Sequence, residues 1–206
     1  EGVELIIALD VSNSMMAEDI QPNRLERSKR AISRLVDRLK DDKIGLIVFA
    51  GDAYTQLPIT SDYNSAKLFL NSVNTQIVPK QGTAIGAAID LARRSFTPNG
   101  EANKAIVIIT DGENHEDDAI SSAEAAVEEG IIIHTIGMGL PSGSPIPVLR
   151  GGQTDYLKDR DGNVVVTKLN EQMLEQIAAA GEGIYVRANN AQVGLNALFD
   201  EINKME

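Results

Sequence analysis

Val3-Glu-Leu-Ile-Ile-Ala-Leu-Asp-Val-Ser-Asn-Ser14 is the stretch on which the reading of this chain turns. Val3 to Leu9 is an almost unbroken apolar run, too short for a helix, and predicts a strand buried on both faces of a parallel sheet. Asp10 ends the run at its carboxyl end, the edge where open α/β sheets bind ligands. Asp10, Ser12 and Ser14 then occupy alternate positions, so three oxygen-bearing side chains share one side of an extended loop. One carboxylate with two hydroxyls, without Cys or His, suits a hard cation such as magnesium, manganese or calcium. Taken alone, such a loop reads more readily as a helix cap or a solvated turn, so the rest of the chain has to supply the weight.

Outward from this loop, strand and helix signals alternate. Asn23, with Glu26 three residues on, starts an amphipathic helix carrying Leu25, Ile32, Leu35, Val36 and Leu39, with Arg and Lys assigned to its outer face. Lys43 to Ala50 predicts a second buried strand. Gly51-Asp52 turns the chain into Ala53 to Leu57, an antiparallel edge strand. Helices follow from Ser61 or Asp62 and from Gly82-Thr83, and Ala105 to Ile109 is a purely aliphatic fourth strand ending in Thr110-Asp111-Gly112. A helix that stops at Gly130, a strand at Ile131 to Ile136, a helix capped by Asn170, a strand at Ile184 to Arg187 and a closing helix complete the order.

Leu140 to Leu169 interrupts the alternation. It is rich in Gly and Pro and predicts an inserted hairpin, with Asp155 to Lys158 and Val164 to Thr167 joined through Asp159-Arg160-Asp161-Gly162-Asn163. The pattern as a whole predicts one domain over residues 1–206. Its fold class is α/β, doubly wound, with a mostly parallel six-stranded sheet, one antiparallel edge strand, helices on both faces and the 140–169 hairpin insertion.

Composition narrows the function classes. The 206 residues carry 30 acidic and 19 basic side chains, a net charge of −11. That balance argues against nucleic acid, whose binding needs Lys and Arg against phosphates. No cysteine is present, which removes disulfides and thiolate chemistry, and no apolar run approaches the roughly 18 residues of a membrane span. The abrupt entry into a strand reads as a domain taken from a longer protein.

Three segments converge on one crevice if the first and fourth strands are neighbours: Asp10 to Ser14, Gly82-Thr83 and Thr110-Asp111-Gly112. In order and spacing, Asp10-Val11-Ser12-Asn13-Ser14, then Thr83, then Asp111 resembles the metal-ion-dependent adhesion site (MIDAS) of von Willebrand factor A-type (vWA) domains, a Rossmann-like fold. The run Leu9 to Ile20, with Pro22-Asn23-Arg24-Leu25 and the Asp155 to Gly162 segment, is similar to the bacterial aerotolerance (Bat) proteins.

This resemblance implies one divalent cation, magnesium first and manganese or calcium as alternatives, held by Asp10, Ser12, Ser14, Thr83 and Asp111. It implies a protein partner that offers a Glu or Asp to the metal, other Bat-type proteins among the candidates. It also implies a parent protein anchored in the inner membrane, with this domain on the periplasmic side and no membrane contact of its own. Asn13, Met15, Gln81, Glu113 and His115 are the expected rim of the partner site, and no catalytic residue is expected. Two rival readings are a metal-stabilised assembly scaffold and a metal-dependent hydrolase, the latter with only Glu113 as an evident base.

Other motifs carry less. Asp159-x-Asp161-Gly162 lacks the Glu that a calcium-binding EF-hand loop needs about nine residues after its second acid, and reads as a turn. Gly82 to Gly86 lacks the context of a nucleotide-binding loop. His134, inside a strand, reads as a core histidine with a backbone partner.

Overall fold

A computed structural model describes residues 2–114, 117–188 and 193–206. Its central sheet contains β1 (Glu4–Asp10), β2 (Lys43–Phe49), β3 (Ala53–Thr60), β4 (Lys104–Thr110), β5 (Ile131–Met138) and β10 (Glu182–Ala188). The spatial order is β10-β5-β4-β1-β2-β3, with all neighbours parallel except the edge pair β2 and β3. The chain steps from β1 to β2 on one side and then crosses to β4 on the other. This puts the switch point, and the crevice it creates, between the ends of β1 and β4.

Alternation along β1 divides the core between two layers. Leu5, Ile7 and Leu9 face α1 (Arg24–Arg38), α2 (Tyr63–Asn71) and α6 (Val193–Asn203), packing with Leu25, Ile32, Leu35, Leu70 and Leu198. Ile6 and Ala8 face the other way, toward α3 (Ile85–Ser95), α4 (Ala119–Glu128) and α5 (Glu171–Ala180), with Ile85, Ile89, Ala123 and Leu174. Each fully buried Leu or Ile contributes about 1.5–3 kcal/mol, so this core does not depend on the polar loops above it.

The helix starts follow local capping chemistry. Asn23 accepts the Glu26 N–H at 2.8 Å, and Asp62, Asp118 and Asn170 cap α2, α4 and α5 in the same way. Gly130, at φ +77, closes α4. His134 is buried in β5, and its Nδ1 accepts the Ile184 N–H at 3.0 Å, where the β5–β10 register shifts.

The insertion is built differently from the expected hairpin. β7 (Pro147–Arg150) pairs with β8 (Gln153–Tyr156) across Gly151-Gly152, while β6 (Ser144–Pro145) pairs with β9 (Val166–Thr167). The turn at Asp159 to Asn163 is present, with Asp159 Oδ1 accepting the N–H groups of Asp161 and Asn163, but only the Lys158–Val164 bridge joins its flanks. Pro147 and its neighbours claim Asp155 and Tyr156 first, because two glycines with positive φ make a tighter turn than the five-residue loop.

Candidate metal centre

The parallel register of β1 and β4, with Leu9 opposite Ile109, sets Asp10 beside Thr110 and brings Asp111, one residue on, to the same carboxyl edge of the sheet. Both are fully buried. Asp10 is fixed through both oxygens: Oδ1 accepts the Ser12 N–H at 2.8 Å and Oδ2 accepts the Thr110 hydroxyl at 2.7 Å. A turn of 3-10 helix over Asn13–Met16 then curls the chain, with Met15 N–H donating to Ser12 O. The curl brings Ser12 and Ser14 into hydroxyl contact at 3.0 Å, and Ser14 donates to Asp111 Oδ2 at 2.5 Å. Asp111 Oδ1 accepts the Glu113 N–H at 3.1 Å.

Thr83 arrives from a third loop. Gly51 N–H donates to Lys80 O and Ala84 N–H to Ala50 O, which pins the entrance of α3 against the end of β2. Gly51 has to be glycine here, since a Cβ would stand 2.3 Å from Gln81 O. Thr83 is buried, and its hydroxyl makes no hydrogen bond among the described residues.

The rim is narrower than the sequence suggests. Asn13 and Gln81 are exposed beside the crevice. Glu113 is half-buried and accepts the Lys168 N–H from the insertion at 3.4 Å. Met15 is not a rim residue: it is 0% exposed and packs under the loop into the core, because the 3-10 turn points it inward. His115 lies outside the described residues.

Sequence reasoning missed Arg24, assigning the Arg and Lys of α1 to its solvent face. The side chain is 0% exposed. Its Nε and Nη2 donate to Asp19 at 2.9 and 2.7 Å, and Nη1 donates to Asp111 Oδ2 and to Thr167 Oγ1, each at 3.1 Å. Nη2 also reaches Thr167 O. Gly139, at φ +119, leaves room for the guanidinium, since a Cβ there would lie 2.7 Å from Nε. No local signal marked Arg24, since Glu26 in the same first turn is partly exposed and one of the partners that bury the guanidinium, Thr167, lies 143 residues away.

The electrostatics fit a cation. Burial, reinforced by the Asp111 charge, pushes Asp10 up to about 7. Burial raises Asp111 as well, against the Ser14 hydrogen bond and the Arg24 charge. Arg24 stays charged: burial works against it, but Asp19 and Asp111 hold its pKa above the ordinary value. Two carboxylates forced together in a dry crevice gain most from a positive ion between them. Among the described residues no group of three His, Asp or Glu side chains is placed to hold a metal. The donors here are two carboxylates and three hydroxyls, all oxygen, as a hard cation requires.

The architecture is that of a vWA-type domain. The model of the von Willebrand factor type A domain matches residues 5–113, and a second model of the same description matches residues 164–187. The chain belongs to the von Willebrand factor type A family.

Within that family it is similar to bacterial aerotolerance proteins. The crystal structure of the conserved hypothetical protein BatB from Bacteroides thetaiotaomicron is 60% identical, covers 99% of this chain and 98% of its own, and superposes with a TM-score of 0.95. An aerotolerance-related membrane protein from Bacteroides fragilis is 57% identical, covers 99% and 100%, and gives 0.94. Proximal thread matrix protein 1 of the mussel byssus, solved with a zinc-occupied MIDAS motif, shares the fold at 19% identity, covering 99% and 44% with a TM-score of 0.67. The chain spans about half the length of the curated relatives it matches, from 46% to 60% for the first three. No helix among the described residues is long and apolar enough to cross a membrane.

Proposed function

We propose that this domain binds another protein through a divalent cation held by Asp10, Ser12, Ser14, Thr83 and Asp111. The observation that carries the reading is the pairing of two fully buried carboxylates with converging hydroxyls at the switch point of the sheet. Asp10 and Asp111 supply the negative charge, and Ser12, Ser14 and Thr83 supply neutral oxygens. A dication in that setting offers a Lewis-acidic position to a carboxylate from outside. Magnesium fits the oxygen set, with manganese and calcium as alternatives.

The domain's own charge supports a partner of complementary chemistry. The net charge of −11 favours an approach in which one Glu or Asp enters at the cation while basic or neutral groups meet the surrounding surface. Asn13 and Gln81, both exposed, are the rim contacts. Other Bat-type proteins are the first partners to test. The similarity to an aerotolerance-related membrane protein supports a membrane-anchored parent, and we propose that this domain stands on its periplasmic side. We favour binding over hydrolysis because, among the described residues, Glu113 is the one candidate base beside the crevice, and the Lys168 N–H of the insertion lies against it at 3.4 Å.

The test is a pull-down with immobilised domain, in magnesium and in excess chelator. The complex should form only with the cation, and Asp10→Ala and Thr83→Ala should abolish it while circular dichroism stays native. A complex that persists at full strength in chelator would leave a scaffold that carries a metal. Turnover of a substrate without any partner would instead support the hydrolase.

A further inference from the structure

The crevice holds a third charged group that the proposed function does not use. Arg24 Nη1 stands 3.1 Å from Asp111 Oδ2, the same oxygen that accepts the Ser14 hydroxyl. The other Asp111 oxygen is taken by the Glu113 N–H. Asp10, by contrast, is held only by neutral donors, Ser12 N–H and the Thr110 hydroxyl. The two carboxylates of the centre are therefore unequal: one is free to give its whole charge to a cation, and the other already shares its charge with a guanidinium.

We propose that Arg24 is a positioning residue that competes with the cation for Asp111, and that the insertion sets the strength of that competition through Thr167. Arg24 cannot swing away, because Asp19 holds its Nε and Nη2 edge and Gly139 closes over it. Nη1 gives one N–H to Asp111 and has its other N–H held by Thr167 Oγ1, each at 3.1 Å, so Thr167 fixes how closely that nitrogen can approach the carboxylate. The base of the insertion is locked to the same unit, since Leu140 N–H donates to Asp19 and Asn170 N–H to Asp111 O. A guanidinium that retains part of the Asp111 charge lowers affinity for the cation and leaves the bound ion more attractive to an outside carboxylate. The inference rests on the proposed cation site and deepens it by naming what sets the balance between metal and partner.

Two variants test it with opposite signs. Arg24→Gln combined with Asp19→Asn removes the guanidinium and its counter-charge together, so formal charge is unchanged, Asp19 is not left as an unpaired acid, and Asp111 alone loses its guanidinium partner. This double variant should bind manganese about tenfold more tightly by calorimetric titration, the scale of one charge-assisted hydrogen bond. Thr167→Val removes the acceptor of the second Nη1 N–H at nearly constant shape, which leaves Asp111 as the one side-chain acceptor of that nitrogen and lets the guanidinium settle onto it, so manganese should bind about two- to threefold more weakly. Damage to the site could only weaken binding, so a gain separates competition from mere structural support.

The proposal is overturned if the folded double variant binds manganese no more tightly than the unaltered protein. Should that variant not fold, unchanged affinity in Thr167→Val overturns it. Asp10→Ala is the control for the underlying reading. If the unaltered protein binds manganese no better than Asp10→Ala, the cation site itself is wrong. If it binds well but the variants do not diverge, only the role of Arg24 fails.

Discussion

Asp117 caps the helix that begins just after Thr83: its two carboxylate oxygens accept the N–H groups of Gly86 and Ala87 at 2.9 and 2.7 Å. The residue at the cap position itself, Ala84, has no side chain able to do this. The loop after β4 therefore supplies the missing acceptor across 31 residues of sequence, with Asn114 Oδ1 taking the Ile85 N–H beside it. Two of the three loops around the crevice are thereby stitched together.

Asp117→Ala should therefore act on stability and on the site at once. Loss of a helix cap costs about 1 kcal/mol, which lowers the unfolding midpoint by roughly 2–4 °C in a domain of this size. A looser entrance to α3 should weaken magnesium binding a few-fold. Thermal unfolding and calorimetry check both, and a variant with unchanged midpoint and affinity would contradict the stitching.

His134 should make stability depend on pH. Burial lowers its pKa below the ordinary 6.5, against a smaller opposing effect of Glu201. Its Nδ1 is an acceptor for Ile184 N–H, so a protonated ring would face one donor with another. Between the folded and unfolded values the unfolded chain binds more protons, so stability falls as pH drops below 6.5 toward the folded value. Asn at this position keeps an acceptor without the titration. Urea unfolding from about pH 7.5 to about pH 5 should show a steeper loss for the native chain than for His134→Asn. The Asp10 contribution, opposite in sign, is common to both proteins and cancels in the difference.

Removal of the outer insertion should leave the cation site working. Gly151 to Asn163 lies beyond the contacts that Leu140, Thr167 and Lys168 make with Asp19, Arg24 and Glu113. A deletion closed by a short Gly-Ser link should bind magnesium with unchanged affinity in calorimetry. Unfolding of the shortened chain would show that the ribbon β7–β8 belongs to the core.

Most of the sheet was legible because its information is local. Leu5 to Leu9 and Ala105 to Ile109 announce buried strands by composition, and Asn23, Asp62 and Asn170 announce helix starts by the hydrogen bonds they can make. The crevice was legible because Asp10, Ser12 and Ser14 lie within one loop, and Asp111 ends a strand of the same kind. Arg24 was not legible. Its burial depends on Asp19, Asp111 and Thr167, the last 143 residues away, and an arginine on an amphipathic helix otherwise reads as solvent-facing. Met15 was misplaced at the rim for a related reason, since a single 3-10 turn reverses which side of the loop a residue faces. The pairing inside the insertion also depended on competition between two turns, which neither strand reveals alone.

The central position of β1 has a mechanical meaning. Residue 4 enters at one edge of the sheet, where Glu4 N–H bonds Asn103 O and Asn103 in turn bonds Met205 O, and Asp10 leaves at the opposite edge. Both ends of the described chain thus gather at the pole away from the crevice. A load applied between Glu4 and Asp10 runs along β1, which is bonded to β2 on one side and β4 on the other. To yield, both ladders must shear together along their whole length instead of opening one bond at a time. The strand that supplies the first carboxylate is thus also the one best placed to carry tension.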